Sequence, residues 1–292
     1  MSFSNLRKNS YSNLIDKINK EEQKGSYQQD ERLWQPAVDK AGNGFAVIRF
    51  LPEIDGEDMP YVVKYQHSFK VGSKWFIENC PTTLTEKCPV CENNGDKWAT
   101  ELESEKAIAR DHKRNKSYFS NILVVSDKDR PENEGKVFIF RYGQKIFDKI
   151  KSAMNPEFQD DVAFNPFDFW NGANFRIKIK QVAGFRNYDD SAFAKISPLF
   201  EGDDEKLEQL WKIQYPLLPI IAASEFKSYD ELKTKFYSIT ATVAPMQQEQ
   251  YISPKVESSK PAFPTTPKVD ADNDDFNEDD YYALINDMEN KV

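Results

Sequence analysis

Phe175-Arg176-Ile177-Lys178-Ile179-Lys180 alternates apolar and basic side chains residue by residue. Successive side chains of a strand point to opposite faces, so this period of two gives one apolar face and one cationic face. Such a strand belongs to a sheet that covers a core on one side. Gly44-Phe45-Ala46-Val47-Ile48-Arg49-Phe50-Leu51 predicts a second strand, ended by a turn at Pro52. Further β-rich runs fall at 61–70, 75–79, 117–125, 136–142 and 174–182. Helices are expected at 144–154, 204–213 and 229–238. Short strands broken by helices and long loops predict a mainly β chain with helical insertions (α+β), built on a small barrel or strongly curved sheet.

The flanks differ from this centre. The chain has 292 residues, of which 39% are hydrophobic and 30% charged, a mixture that fits a folded centre with solvated ends. The first 30 residues are polar and lysine-rich, with Leu6, Leu14, Ile15 and Ile18 as a weak helical stripe. They read as an arm that needs a partner to bury that stripe. After Thr240 come prolines at 245, 254, 261, 264 and 267, then an acidic run at 270–280 and Tyr281-Tyr282-Ala283-Leu284-Ile285. The composition predicts a disordered linker over 241–292, ending in an acidic tail whose apolar patch docks a partner.

The net charge of −9 is unevenly spread. Residues 241–292 hold eleven acids against four bases, a net −7, which leaves −2 for the first 240. An acidic total therefore does not exclude a nucleic-acid surface in the centre. The longest apolar run, 215–223, carries two prolines and is too short to span a bilayer. No membrane partner is expected. With no apolar segment at the N-terminus, a cytosolic protein is expected.

Three cysteines and two histidines carry the sharpest motif. Cys88-Pro89-Val90-Cys91 brings two thiolates to one turn. Cys80 lies seven intervening residues upstream, and His67 twelve before that. Three sulfurs and an imidazole close the tetrahedral shell of one structural Zn²⁺, leaving no open position for catalysis. His112 is the one rival for the fourth position. No nucleophilic triad or phosphate-binding glycine loop accompanies the site, so no enzyme is expected.

Cations interleave with aromatics in three segments. Lys106, Arg110, Lys113, Arg114 and Lys116 run into Tyr118 and Phe119; Phe138, Phe140, Arg141, Tyr142 and Lys145 form the second. The third, 172–186, contains Arg176, Lys178, Lys180 and Arg186 with Phe175 and Phe185, and Tyr188 follows. Single-stranded nucleic acid calls for this mixture, because cations follow phosphates while rings stack on unpaired bases. The same surface suits an RNA-binding regulator, and the many carboxylates leave a metal-dependent nuclease as a further alternative.

Asn121-Ile122-Leu123-Val124-Val125, Pro131-Glu132-Asn133-Glu134-Gly135-Lys136-Val137-Phe138, Ala41-Gly42-Asn43-Gly44 with 46–52, Gly172-Ala173-Asn174-Phe175 and Asn187-Tyr188-Asp189 resemble the single-stranded DNA-binding proteins of T-even-like bacteriophages. The resemblance covers about residues 40–240. It implies an OB-fold barrel with a zinc-binding subdomain at about 61–120 and a connecting region, all within a 31–240 core that binds single-stranded DNA in a cleft. It implies a role in DNA replication, recombination and repair in the cytoplasm of the infected bacterial host. Arg49, Arg114, Tyr118, Phe119, Phe140, Phe185 and Tyr188 match its DNA contacts, beside Lys113, Lys116, Arg141 and Tyr142 from the basic–aromatic segments. Arg7, Lys8 and Ser10 resemble the motif through which an arm over 1–30 binds neighbouring copies on DNA. Asp274, Asp275, Asp279, Asp280, Leu284 and Ile285 would recruit replication and recombination proteins.

Overall fold

The structure, a computed structural model, describes residues 30–241 apart from 159 and 183. The expected arm residues Arg7, Lys8 and Ser10, and the tail residues Asp274 to Ile285, lie outside the described residues. Nine strands are described: β1 (Leu33–Trp34), β2 (Gly44–Phe50), β3 (Tyr61–Val71), β4 (Lys74–Asn79), β5 (Arg114–Ser126), β6 (Val137–Tyr142), β7 (Ala173–Val182), β8 (Phe185–Asn187) and β9 (Ala192–Ile196). Five α-helices accompany them: α1 (Pro89–Ala99), α2 (Glu103–Asp111), α3 (Gln144–Met154), α4 (Asp204–Lys212) and α5 (Tyr229–Thr240). None is long and apolar enough to cross a membrane.

The sheet is open and mixed, in the order β1-β6-β5-β2-β7-β8, with the β3–β4 hairpin and β9 branching from it. Among the described strands only the short β1–β6 pair is parallel. The period of two in β7 is realised: Phe175, Ile177 and Ile179 are buried, while Arg176, Lys178 and Lys180 are exposed. The apolar row joins Ile48, Phe50, Tyr118, Ile122, Phe140, Tyr142 and Ile146 in the principal core. Phe50 sits at its centre, edge-on to Tyr142 and Phe167 with ring centroids 5.6 Å away in each case. Burying one such side chain stabilises the fold by roughly 1.5–3 kcal/mol.

Strand β5 organises the rest. On one edge it pairs first with β3, over residues 114–120, and then with β2, over 122–126. Its other edge pairs with β6 only from Tyr118 onward, so 114–117 run on past the end of β6. That overhang carries β3, β5 and the β3–β4 hairpin away from the principal core into a second, smaller cluster. There Phe69, Phe76, Cys80, Cys88 and Val90 pack against Leu232, Phe236 and Ile239 of α5. Ser228 caps α5 through a reciprocal capping box with Glu231, which starts the helix where it meets this cluster.

Candidate metal centre and nucleic-acid interface

Strand, turn and helix N-terminus converge on four ligand atoms. His67 sits near the end of β3, Cys80 just after β4, Cys88 caps α1, and Cys91 lies in its first turn. Pro89 at the first helical position presets the helical φ angle that brings the two thiols of the motif to one side. The ligand atoms of His67, Cys80, Cys88 and Cys91 all lie within 4.8 Å of one another. The Nε2 atom of His67 is 3.5 Å from both Cys88 Sγ and Cys91 Sγ, and Cys80 Sγ is 3.6 Å from Cys91 Sγ. A tetrahedral ion with metal–sulfur bonds of about 2.3 Å and a metal–nitrogen bond of about 2.05 Å requires edges of roughly 3.6–3.8 Å. Those three edges already have about that length.

Nδ1 of His67 lies 2.9 Å from the carbonyl oxygen of His112, which only accepts, so Nδ1 carries a proton and Nε2 faces the sulfurs. Asn94 donates to the same carbonyl at 2.9 Å. Hydrogen bonding with Cys88 and Cys91 pulls the Cys80 thiol far below its ordinary range, and contact with Cys80 and Cys88 pushes that of Cys91 up. Burial favours neutral His67, yet the facing sulfurs of Cys80 and Cys88 carry it up to about 9. His112 itself is not a ligand. Its ring stacks on Phe69 with centroids 3.9 Å apart, and burial depresses it to about 4.

The overhang of β5 displays cations over rings. Arg114 lies 4.2 Å above the Tyr65 ring, and Lys116 lies 4.9 Å above that of Tyr118. Tyr65 pairs in register with Lys116, and Val63 with Tyr118, so all of these occupy one face. Arg114 also donates to Thr82 Oγ1 in the turn after Cys80, which ties the metal module to this face. At the other end the Tyr118 hydroxyl donates to Gln144 Oε1 at 2.9 Å, where α3 begins. Lys145 and Lys149 of that helix reach the 188–190 turn, with Lys149 Nζ 2.8 Å from the Asp189 carbonyl. The face is therefore a basic track from the metal module to α3.

Comparison with known proteins gives this track a context. The family model described as "gp32 DNA binding protein like" matches residues 42–240. The chain belongs to that family. The single-stranded DNA-binding protein of Enterobacteria phage T2 is 38% identical over 90% of this chain and 84% of its own length. That of Enterobacteria phage T4 is 37% identical over 90% of this chain and 85% of its own. A third protein of the same description, from Escherichia phage SV14, is 44% identical over 23% of this chain and 62% of its own length.

Within this gp32-like fold, the residues expected to contact DNA separate into three groups. Arg114 and Lys116 line the basic track, Lys113 stands exposed just before β5, and Phe185 stands 57% exposed at the tip of the β7–β8 hairpin. Tyr118, Phe140, Tyr142 and Tyr188 are instead core residues, at 1, 2, 0 and 8% exposure. Their rings present no free face for a base, because strand parity turns the first three into the principal cluster and the turn after β8 places Tyr188 in it. Arg49 is likewise buried. Its Nη2 donates to the carbonyls of Asp168, Phe169 and Ser197, and Gly172 abuts its guanidinium where any Cβ would collide. Desolvation lowers its pKa to about 10. Arg49 fastens the 168–197 segment to β2 rather than facing phosphate.

Arg141 and Phe119 form the third group. They pair across β6 and β5 on the face opposite Tyr118. Arg141 Nε donates to Ser117 Oγ at 3.1 Å, and Phe119 packs with Val62, Ile139 and Leu217 beneath the 215–221 segment. Sequence reasoning missed Tyr65, the most direct aromatic partner of the track. Its signal was the alternation Tyr61-Val63-Tyr65-His67, which places it two residues before His67 of the cage on the same face.

Proposed function

We propose that this chain binds and coats single-stranded DNA, cooperatively and with little sequence preference, during phage DNA replication, recombination and repair in the host cytoplasm. The carrying observation is Arg114 stacked on Tyr65 with Lys116 beside it, on a strand overhang of a gp32-like fold. Cations there follow the phosphates, while the half-buried Tyr65 and the exposed Phe185 are the rings on which bases would stack. The sheet curved around one aromatic core supports reading it as a modified OB barrel. The module around the four ligands supports the reading of one structural zinc: a Cys₃His set suits that ion, and a closed shell leaves none of its Lewis acidity for a reaction.

The chain's own residues account for helix destabilisation without catalysis. A protein that prefers unpaired strands pulls the pairing equilibrium open by mass action. The 1–30 arm contacts neighbouring copies, and the acidic tail recruits replication and recombination proteins, competing for the basic track when DNA is absent.

Titrating single- and double-stranded oligonucleotides against intrinsic tryptophan and tyrosine fluorescence tests the reading. Quenching by single strands at far lower concentration is expected; equal quenching by both overturns it. Matched RNA strands bind more weakly if DNA is the target. Labelled strands incubated with Mg²⁺ stay intact, and cleavage would make the protein a nuclease.

A further inference from the structure

Behind the basic track lies a surface of opposite character. A groove of about 690 Å³ opens between the 52–57 loop and α4. Trp170, Trp211 and Leu207 line its apolar wall, and Trp170 is 51% exposed. Glu53, Asp55, Asp204 and Glu208 ring it, and among the described residues no lysine or arginine lines it. Lys212 reaches Glu208 from outside the lining. The indole N–H of Trp211 donates to the Glu53 carbonyl at 2.8 Å, and that of Trp170 to Asp204 Oδ1 at 3.2 Å. This rim repels polyanions, so nucleic acid is not its occupant. A half-exposed indole and a partly buried one beside carboxylates suit a segment that carries both cations and apolar side chains.

We propose that the groove holds the chain's own N-terminal segment, residues 1–20, in the free protein. Two segments lie outside the described residues, and only one has the right charge. Residues 242–292 are strongly acidic, whereas 1–20 carry Arg7, Lys8, Lys17 and Lys20 against Asp16 alone. Phe3, Leu6, Leu14 and Ile15 supply apolar groups for the indole wall. The origin of the segment is also close. Leu33 and Tyr215 pack against one cluster, Arg32 feels the Tyr215 hydroxyl electrostatically, and Tyr215 shares a second cluster with Trp211 of the groove. Residues 21–29 span up to about 30 Å when extended. A tether of that length gives an effective concentration on the order of millimolar, which favours docking within one chain. The docking stands apart from the DNA-binding reading and holds whether or not the arm also meets neighbours.

The five tryptophan indole resonances of the full-length protein test it, because Trp170 and Trp211 sit in the groove while Trp34, Trp75 and Trp98 do not. The full-chain charge reversal Arg7→Glu/Lys8→Glu is expected to shift the Trp170 and Trp211 signals and leave the other three in place. Neutralising the rim with Glu53→Gln/Asp55→Asn, both exposed, is expected to give the same end state, as is high salt. The wild-type shifts should not change over a hundredfold dilution. Unmoved groove indoles on arm reversal overturn the proposal. Dilution that reproduces the reversal shifts also overturns it, by showing that a second copy supplies the segment.

Discussion

The principal core and the metal module are held by different physics, although β3 and β5 run through both. The first closes on itself through stacked and edge-on rings: Tyr118 lies 3.9 Å from Phe147, Phe140 5.4 Å from Tyr142, and Phe50 meets four others. The second has a handful of apolar residues, two of them cysteines whose sulfurs face the ligand cage. A cluster of that size does not offset the ordering of some 50 residues without a further contribution. The comparison teaches where function can sit. The basic track lies at the join, with one wall on the self-supporting core and the other on the module built around the four-ligand cage.

The largest effect is expected from breaking the module alone. Chelation, or Cys88→Ser, should unfold it while leaving the principal core in place, since metal binding and folding are one equilibrium in such sites, worth about 10–16 kcal/mol in zinc-finger peptides. Hydrogen exchange should rise over 61–112 and also over 229–240, because α5 packs on the cysteines. Protection of 173–182 should persist. Unchanged exchange in α5 would separate that helix from the metal. Metal analysis of the purified chain should return one zinc.

The reverse lesion sharpens the same contrast. Phe50→Ala removes a ring with no exposed surface from the principal core and should cost about 3–5 kcal/mol, read as a lower midpoint in denaturant. Zinc should stay bound at concentrations of denaturant where the mutant core is still folded. Loss of both together would show one cooperative unit rather than two regions.

Much of this contrast was legible in the sequence. The period of two in 175–180 gave the strand and its buried face, and the spacing of His67, Cys80, Cys88 and Cys91 gave the cage. The faces of the aromatics were not legible, for a definite reason. Residues 117–124 of β5 are all buried, because the principal core covers one face and the 215–221 segment with α4 covers the other. A strand covered on both sides loses its alternation, so Tyr118 and Phe119 read alike although they point apart. Helices α1 and α2 escaped for the opposite reason. Both are short and polar, and what fixes them is the Cys88–Cys91 turn at one end and packing of Val90, Asn94 and Ala109.

At the join, Arg114→Ala should weaken single-stranded DNA binding by about tenfold, in keeping with loss of one phosphate contact and of the cation above Tyr65. The slope of log affinity against log salt should fall by about 0.7, the value for one phosphate on a single strand. An unchanged slope would show that Arg114 only ties Thr82 to the sheet. Fold stability of this variant should change little, since the guanidinium sits at the edge of the module rather than in either core.

The smallest and most discriminating effect concerns two cations from neighbouring strands that point to opposite faces. Lys116 pairs with Tyr65 on the track, whereas Arg141 pairs with Phe119 and reaches Ser117 and Gln66 on the reverse face. By sequence alone the two look equivalent, each two residues or fewer from a tyrosine. By position, Lys116→Ala should reduce DNA affinity severalfold with stability nearly intact. Arg141→Ala should do the reverse: affinity within about twofold, and a stability loss of about 1 kcal/mol from broken side-chain hydrogen bonds. Denaturant melts and salt-controlled titrations on the two variants read both quantities. If Arg141→Ala lowers affinity more than Lys116→Ala at equal salt, the strand faces named here are reversed in function, and the track lies beneath the 215–221 segment instead.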